Sequence, residues 1–265
     1  MTNTKSSEPG LAARAASVIG GEHHRTRRRS QDAAACVTGP GWAVVVVCDG
    51  CGSAPRSELG AELGAQAWAH GLARALAAGA PLSRALWDQV SIDVVRTLGV
   101  LAAQLGPRDQ VVRDSLLFTV VAAVYARGQR AVFAIGDGAY AVDGVVTTLG
   151  PFPDNTPPYP MYGLTGAPVP SRVIVEPAPA RGSLLVATDG VDPLPAGELG
   201  ALADDARLVT HPDALRRHLH GWTAAGEQVD WRAGRVMRRA ARLRDDVAVG
   251  IIRWDRGAGA GGAAS

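Results

Sequence analysis

Trp42-Ala43-Val44-Val45-Val46-Val47-Cys48-Asp49-Gly50 decides how the rest of the chain is read. Its run of β-branched residues is a strand signal, and it ends abruptly in an acid and a glycine. An aspartate at a strand end projects a short, stiff carboxylate from a fixed backbone. The glycine behind it permits unusual dihedrals and lets its carbonyl approach a ligand closely. The same construction recurs twice: Val132 to Ile135 runs into Gly136-Asp137-Gly138, and Leu184 to Ala187 runs into Thr188-Asp189-Gly190. Asp245-Asp246 stands where a last apolar run begins, and Asp32 precedes Ala33-Ala34-Ala35. One Asp-Gly pair is an ordinary turn. Three of them behind buried strands, with an acidic strand start, describe carboxylates that repel unless a cation lies between them. Oxygen-only donors favour Mg2+ or Mn2+ over zinc. If these acids converge, the expected result is a two-metal site holding a bridging water for in-line attack at phosphorus.

Working outward, further strands are expected at 116–125, 130–135, 172–175, 184–188 and 247–254. The last is apolar on both faces and therefore buried. Helical spacing marks Ser57 to Ala78, with Ser57 as N-cap, and Ser83 to Leu105, which ends at Gly106-Pro107. Shorter helices are expected over Pro212 to Trp222 and Val229 to Leu243. Strands and helices do not alternate regularly, so the expected fold class is α+β, a sandwich with two mainly antiparallel sheets. Met1 to Ala16 and Gly257 to Ser265 are expected to be disordered arms flanking one domain over residues 17–256. The segment Pro151 to Pro170 reads as an extended surface excursion.

Composition removes other classes. The 265 residues are 47% hydrophobic and 20% charged, which suits one globular domain. Net charge is +2, from 27 basic and 25 acidic residues, so no global field marks a nucleic-acid coat. No uncharged apolar run reaches membrane-span length, and Met1 to Gly21 lacks a secretory signal pattern. Three cysteines, an odd number, argue against a disulfide scaffold and point to the cytoplasm.

The motifs also carry a resemblance. Arg27-Arg28-Arg29-Ser30-Gln31-Asp32-Ala33, Val47-Cys48-Asp49-Gly50-Cys51-Gly52-Ser53, Ala134-Ile135-Gly136-Asp137-Gly138, Leu185-Val186-Ala187-Thr188-Asp189-Gly190 and Arg244-Asp245-Asp246-Val247 stand in order along the chain. Together the chain resembles the metal-dependent protein phosphatases of the 2C type, in their compact bacterial form. The resemblance implies an α-β-β-α four-layer sandwich and a protein serine/threonine phosphatase, using a hydroxide held by two Mn2+ or Mg2+ ions. It implies that Asp49 bridges the two metals, that the Gly50 carbonyl binds one, and that Asp189 and Asp245 complete the direct carboxylate ligands. Asp32 would act through metal-bound water, and Asp137 with Asp189 would hold a third, weaker ion. Arg27 would grip substrate phosphate with its bidentate fork. The implied substrate is a phosphoprotein, with a bacterial Ser/Thr kinase as counterpart, and the implied protein is a signalling monomer that binds neither nucleic acid nor membrane.

One departure bears on mechanism. Some members carry a histidine, proposed to protonate the leaving group, directly after the first Asp-Gly, and here that position is Cys51. Leaving-group protonation would then fall to metal-bound water. The competing readings are a catalytically weak phosphoprotein-binding scaffold of the same fold and a haloacid-dehalogenase-type phosphatase with Asp49 as nucleophile. The latter wants a second acid where Cys51 stands. Cys48 and Cys51 match a zinc or redox spacing but lack a second pair or a βαβ setting. The run His23 to Arg29 is either a solvated arm or a phosphate grip, and Arg235, Arg238, Arg239 and Arg242 read as an exposed helix face.

Overall fold

Alternation along the valine strand sorts its side chains between two cores, and from this sorting the four layers follow. The computed structural model describes residues 10–166 and 168–257. The strand is β3 (Trp42–Gly50), preceded by β1 (Ala12–Val18), helix α1 (Gly21–Thr26) and β2 (Asp32–Gly39). Helices α2 (Ser57–Ala77), α3 (Arg84–Leu105) and α4 (Arg108–Ser115) follow. Next come strands β4 (Phe118–Ala126), β5 (Gln129–Ile135), β6 (Gly138–Val142), β7 (Val145–Leu149), β8 (Arg172–Pro177) and β9 (Arg181–Ala187). Helices α5 (Ala196–Asp204), α6 (Arg207–Thr210) and α7 (Ala214–Thr223), hairpin strands β10 (Gly226–Asp230) and β11 (Arg235–Arg239), and β12 (Val247–Asp255) complete the described chain.

Two five-stranded sheets, ordered β2-β3-β4-β5-β8 and β1-β12-β9-β6-β7, are antiparallel throughout. Val44, Val46 and Cys48 point to an outer core shared with α2 and α3, while Ala43, Val45 and Val47 meet the other sheet. A third core lies between the second sheet and α5, α6 and α7. This is the expected α+β, four-layer arrangement. The outer core is cemented by Trp68, edge-on to Phe118 at 6.0 Å, and by Trp87, stacked on Phe133 at 5.0 Å. Each such aromatic pair contributes about 0.5–1.5 kcal/mol beyond the area it buries. Ser83 caps α3 by accepting the Leu86 N–H, a cap that the sequence reading did not assign.

Several expectations are corrected. Residues 10–16 are not a disordered arm: β1 pairs along β12, which is buried on both faces and therefore needs partners on both edges. Residues 1–9 and 258–265, the rest of the expected arms, lie outside the described residues. Ser57 does not cap α2; Arg56 holds that position, and the Ser57 hydroxyl instead accepts from the Gln31 side-chain amide at 2.5 Å. The helix expected over 229–243 is the β10–β11 hairpin. Asp230 Oδ1 accepts the Arg232 and Ala233 N–H groups, and Gly234 turns back at φ +59°, so of the arginines whose spacing imitates a helix Arg235, Arg238 and Arg239 fall on β11 and Arg242 lies beyond it. Helix α4 was not foreseen, because its segment shows little apolar periodicity. The Pro-rich segment is more than a surface excursion, since Tyr159, Pro160 and Met161 are buried and Leu164 packs against the α3 core. Among the described residues no helix is long and apolar enough to cross a membrane.

Candidate metal centre

The period of two that sorts the valines also aims the acids. Asp49 continues the face of Val45 and Val47, and Asp32 continues that of Ala34, so both carboxylates emerge between the sheets. The register sets Asp32 directly opposite Asp49, with Thr119 of β4 opposite Asp49 on the other side. Directly opposed like charges destabilise a sheet, so this pairing has a cost that packing alone does not explain. Asp189 opens a short 3-10 turn at the end of β9, Asp137 sits in the β5–β6 turn, and Asp245 precedes β12. All five aspartates, with Gly50, line one cleft of about 540 Å3.

The three Asp-Gly pairs use their glycines differently. Gly50 remains in β3, paired with Phe118. Gly138 turns the chain at φ +119°. At Gly190 a Cβ would lie 1.9 Å from the Asp246 carbonyl oxygen, so only glycine lets the β9 end approach the β12 start.

The electrostatics of the cleft are those of a cation site. Burial, followed by the neighbouring acids, raises Asp49 well above the ordinary carboxylate range. Asp32 is pushed to about 8, chiefly by burial, although it accepts the Thr188 hydroxyl at 2.6 Å. Asp189 is raised to about 6 by burial and then by Asp137 and Asp245, and burial also raises Asp137. Among the described residues no basic side chain lines this cleft. An all-oxygen donor set of crowded carboxylates, with no arginine lining the cleft to neutralise them, fits hard divalent ions.

Asp246 has a separate part. Its buried carboxylate accepts the Gly20 and Gln31 N–H groups, both at 2.6 Å, and lies 2.7 Å from His23 Nδ1. It therefore ties down both ends of the segment 20–31 that leads into Asp32. Sequence reading placed His23 in a basic run and Thr188 in an Asp-Gly motif, but assigned no contact at the site to either or to Tyr159. The Thr188–Asp32 contact joins residues 156 apart in sequence, and no local pattern announces it.

Arg27 is not brought to the cleft. It ends α1 in the left-handed region at φ 57° and does not line the cleft. Arg29 lines a different cavity, of about 300 Å3, which shares Asp32 as a wall. The two cysteines of the C-x-x-C spacing part company: Cys48 is buried in the helix-side core and Cys51 faces the cleft. All three cysteines are free.

The profile described as Protein phosphatase 2C matches residues 19–233. No curated protein sequence matches the chain. Among solved structures, PppA, a regulatory component of the type VI secretion system in Pseudomonas aeruginosa, is similar at 15% identity and a TM-score of 0.57, with 93% of this chain and 99% of that one covered. The Mycobacterium tuberculosis serine/threonine phosphatase PstP/Ppp is similar at 15% identity and 0.54, over 93% and 100%. The catalytic domain of PstP in complex with two manganese ions is similar at 16% identity and 0.55, over 93% and 99%. At these identities the likeness shows the fold.

Proposed function

The chain belongs to the protein phosphatase 2C family, and from that premise we propose that it is a metal-dependent protein phosphatase acting on phosphoserine and phosphothreonine. The observation that carries this reading is the meeting of Asp32, Asp49, Asp137, Asp189 and Asp245 in one cleft without a neutralising side chain. Two Mn2+ or Mg2+ ions would be held by Asp49, the Gly50 carbonyl, Asp189 and Asp245, with Asp32 behind them and a third ion at Asp137 and Asp189. When bound, they would supply an activated water and neutralise charge on the phosphoryl oxygens.

The chain's own residues prepare that chemistry. Strand pairing on both sides holds Asp49 on a backbone that cannot relax away from Asp32. Thr188 orients the Asp32 carboxylate, and Asp246 fixes the approach to it. Tyr159, Tyr162 and Pro157 wall the cleft from the Pro-rich segment and narrow the space open to a phosphorylated side chain. Arg27 is assigned the phosphate contact, a role that requires its side chain to swing toward the cleft from the end of α1. The counterpart activity is a Ser/Thr kinase, and three free thiols suit a reducing cytoplasm.

The test is phosphate release from a phosphothreonine peptide and from a chromogenic phosphomonoester with added Mn2+, against an Asp189→Ala control. Metal-dependent turnover absent from the control is expected. Wild-type activity no higher than the control on both substrates refutes the phosphatase. Phosphopeptide binding without turnover would instead identify the scaffold.

A further inference from the structure

The Pro-rich segment is a partition between two cavities. Around Tyr159, whose backbone is extended, residues alternate: Pro157 and Tyr159 line the metal cleft, and Pro158 and Pro160 line the spaces behind it. The 3-10 turn Pro160–Thr165 keeps the division, with Tyr162 on the cleft and Gly163 and Leu164 on the far side. That far side is a groove of about 1000 Å3 between the segment and α3. A Cβ at Gly99 would lie 2.5 Å from Leu164 Cδ2, so the segment sits directly on the helix.

The groove is apolar along its length and charged at its margins. Helix α3 contributes Ile92, Val95 and Val100, and the segment beyond the turn contributes Leu164 and Val169. Ile92 and Val100 are 52% and 57% exposed and lie two turns apart on one side of α3. Single exposed apolar residues are ordinary, but a stripe of them along a groove marks an interaction site. Arg84, Arg96 and Arg108 line the groove against one acid, Asp88. Asp88 lies 3.9 Å from Arg84, and Arg108 pairs with Asp109, which is outside the groove. Among the described residues no acid forms an ion pair with Arg96. The excess of guanidinium calls for a negatively charged occupant. From Arg84 to Ala103 the lining follows α3 for about 30 Å, the length of a helix of about five turns. Residues 1–9 and 258–265 carry one acid and one large apolar residue between them, Glu8 and Met1, so the chain's own ends do not match the groove.

We propose that this groove docks an acidic amphipathic helix of a regulatory partner protein, and that the docked helix acts on the metal cleft through the shared wall. Its apolar stripe would lie on Ile92, Val100 and Leu164, and its flanking carboxylates on Arg96 and Arg108. It would bear on Gly163 and Leu164, the rear of the segment whose front is Tyr159 and Tyr162, and hold that wall against the cleft. The effect therefore falls on a substrate bulky enough to touch the wall, a phosphopeptide more than a small ester. The docking rests on the groove alone, whereas its action on turnover rests on the phosphatase reading.

The probe is a fluorescein-labelled helical peptide of about 20 residues, about 30 Å long, with leucine along one stripe and glutamate on both flanks. A control peptide carries lysine in place of each glutamate. Fluorescence anisotropy with the full chain should show saturable binding of the glutamate peptide, at least about tenfold tighter than the lysine peptide. Arg96→Glu and Val100→Asp should each weaken that binding by at least about tenfold. Both positions are exposed, so melting should be unaltered. With Mn2+ present, saturating glutamate peptide should lower kcat/KM on a phosphothreonine peptide by at least about fivefold and on p-nitrophenyl phosphate by less than about twofold. Absence of saturable binding, equal binding of the two peptides, or binding unmoved by both substitutions overturns the docking site. Sedimentation showing a wild-type dimer that Val100→Asp abolishes identifies a second copy as the occupant and overturns it as well. Docking that leaves both rates unchanged overturns the action on the cleft. Wild-type inertness toward both substrates refutes the phosphatase, while anisotropy still decides the docking.

Discussion

Strand β3 contains two regions with opposite energetics. From Ala43 to Cys48 every residue is fully buried, and both faces meet apolar partners. One residue later the same pairing sets Asp49 opposite Asp32, and burial raises both carboxyls. The body of the strand stabilises the fold, and its tip is held in place against its own repulsion. The difference teaches that the sheets act as a clamp: antiparallel pairing along β2, β3 and β4 supplies the rigidity that keeps a donor set assembled before any cation arrives.

Trp68→Ala attacks the body. Trp68 is fully buried between α2 and β4, so its loss should cost about 3–5 kcal/mol, read from denaturant unfolding. Activity per folded molecule should survive. If phosphate release collapses while the protein remains folded, body and tip are not separable.

Asp49→Asn attacks the tip. Phosphopeptide turnover should fall by about 10²–10³-fold, the scale for deleting one charge-stabilising group. The metal-free variant should melt higher than wild type, because a buried repulsive carboxyl has been removed. A lower melting temperature would show that Asp49 stabilises the apo fold and would break the comparison.

Proton and metal linkage test the tip without any substitution. An unfolded aspartate titrates near 3.8, while folded Asp32 and Asp189 titrate near 8 and 6. Between those values the folded protein holds more protons than the unfolded chain, so metal-free stability should fall as pH rises from about 4 to 8. Mn2+ at a hundred times its dissociation constant should add about 2.7 kcal/mol and flatten that slope. Melting curves at several pH values, with and without Mn2+, check both parts. Metal-free stability that rises across the window would mean the acids are already neutralised.

The residue types of the centre were legible because each acid borders an apolar run, a local signal. The β10–β11 hairpin was misread because four arginines imitate a helical period, while the turn built on Asp230 and Gly234 outweighs that spacing. Residues 12–16 were misread because alanines carry little strand propensity, and their order comes from the unpaired edge of β12.

The sequence by itself determined which strands are buried, that they end in carboxylates, and that those carboxylates call for a hard cation, since these follow from neighbours in the chain. Only the tertiary structure decided the rest. It set Asp32 opposite Asp49, brought Thr188 to Asp32 and Asp246 to both ends of segment 20–31, left Arg27 outside the cleft, and brought Tyr159 into the cleft wall. These relations depend on the register between strands and on the packing of one sheet against the other. Such contacts join residues 17 to 226 positions apart, beyond the reach of any local pattern.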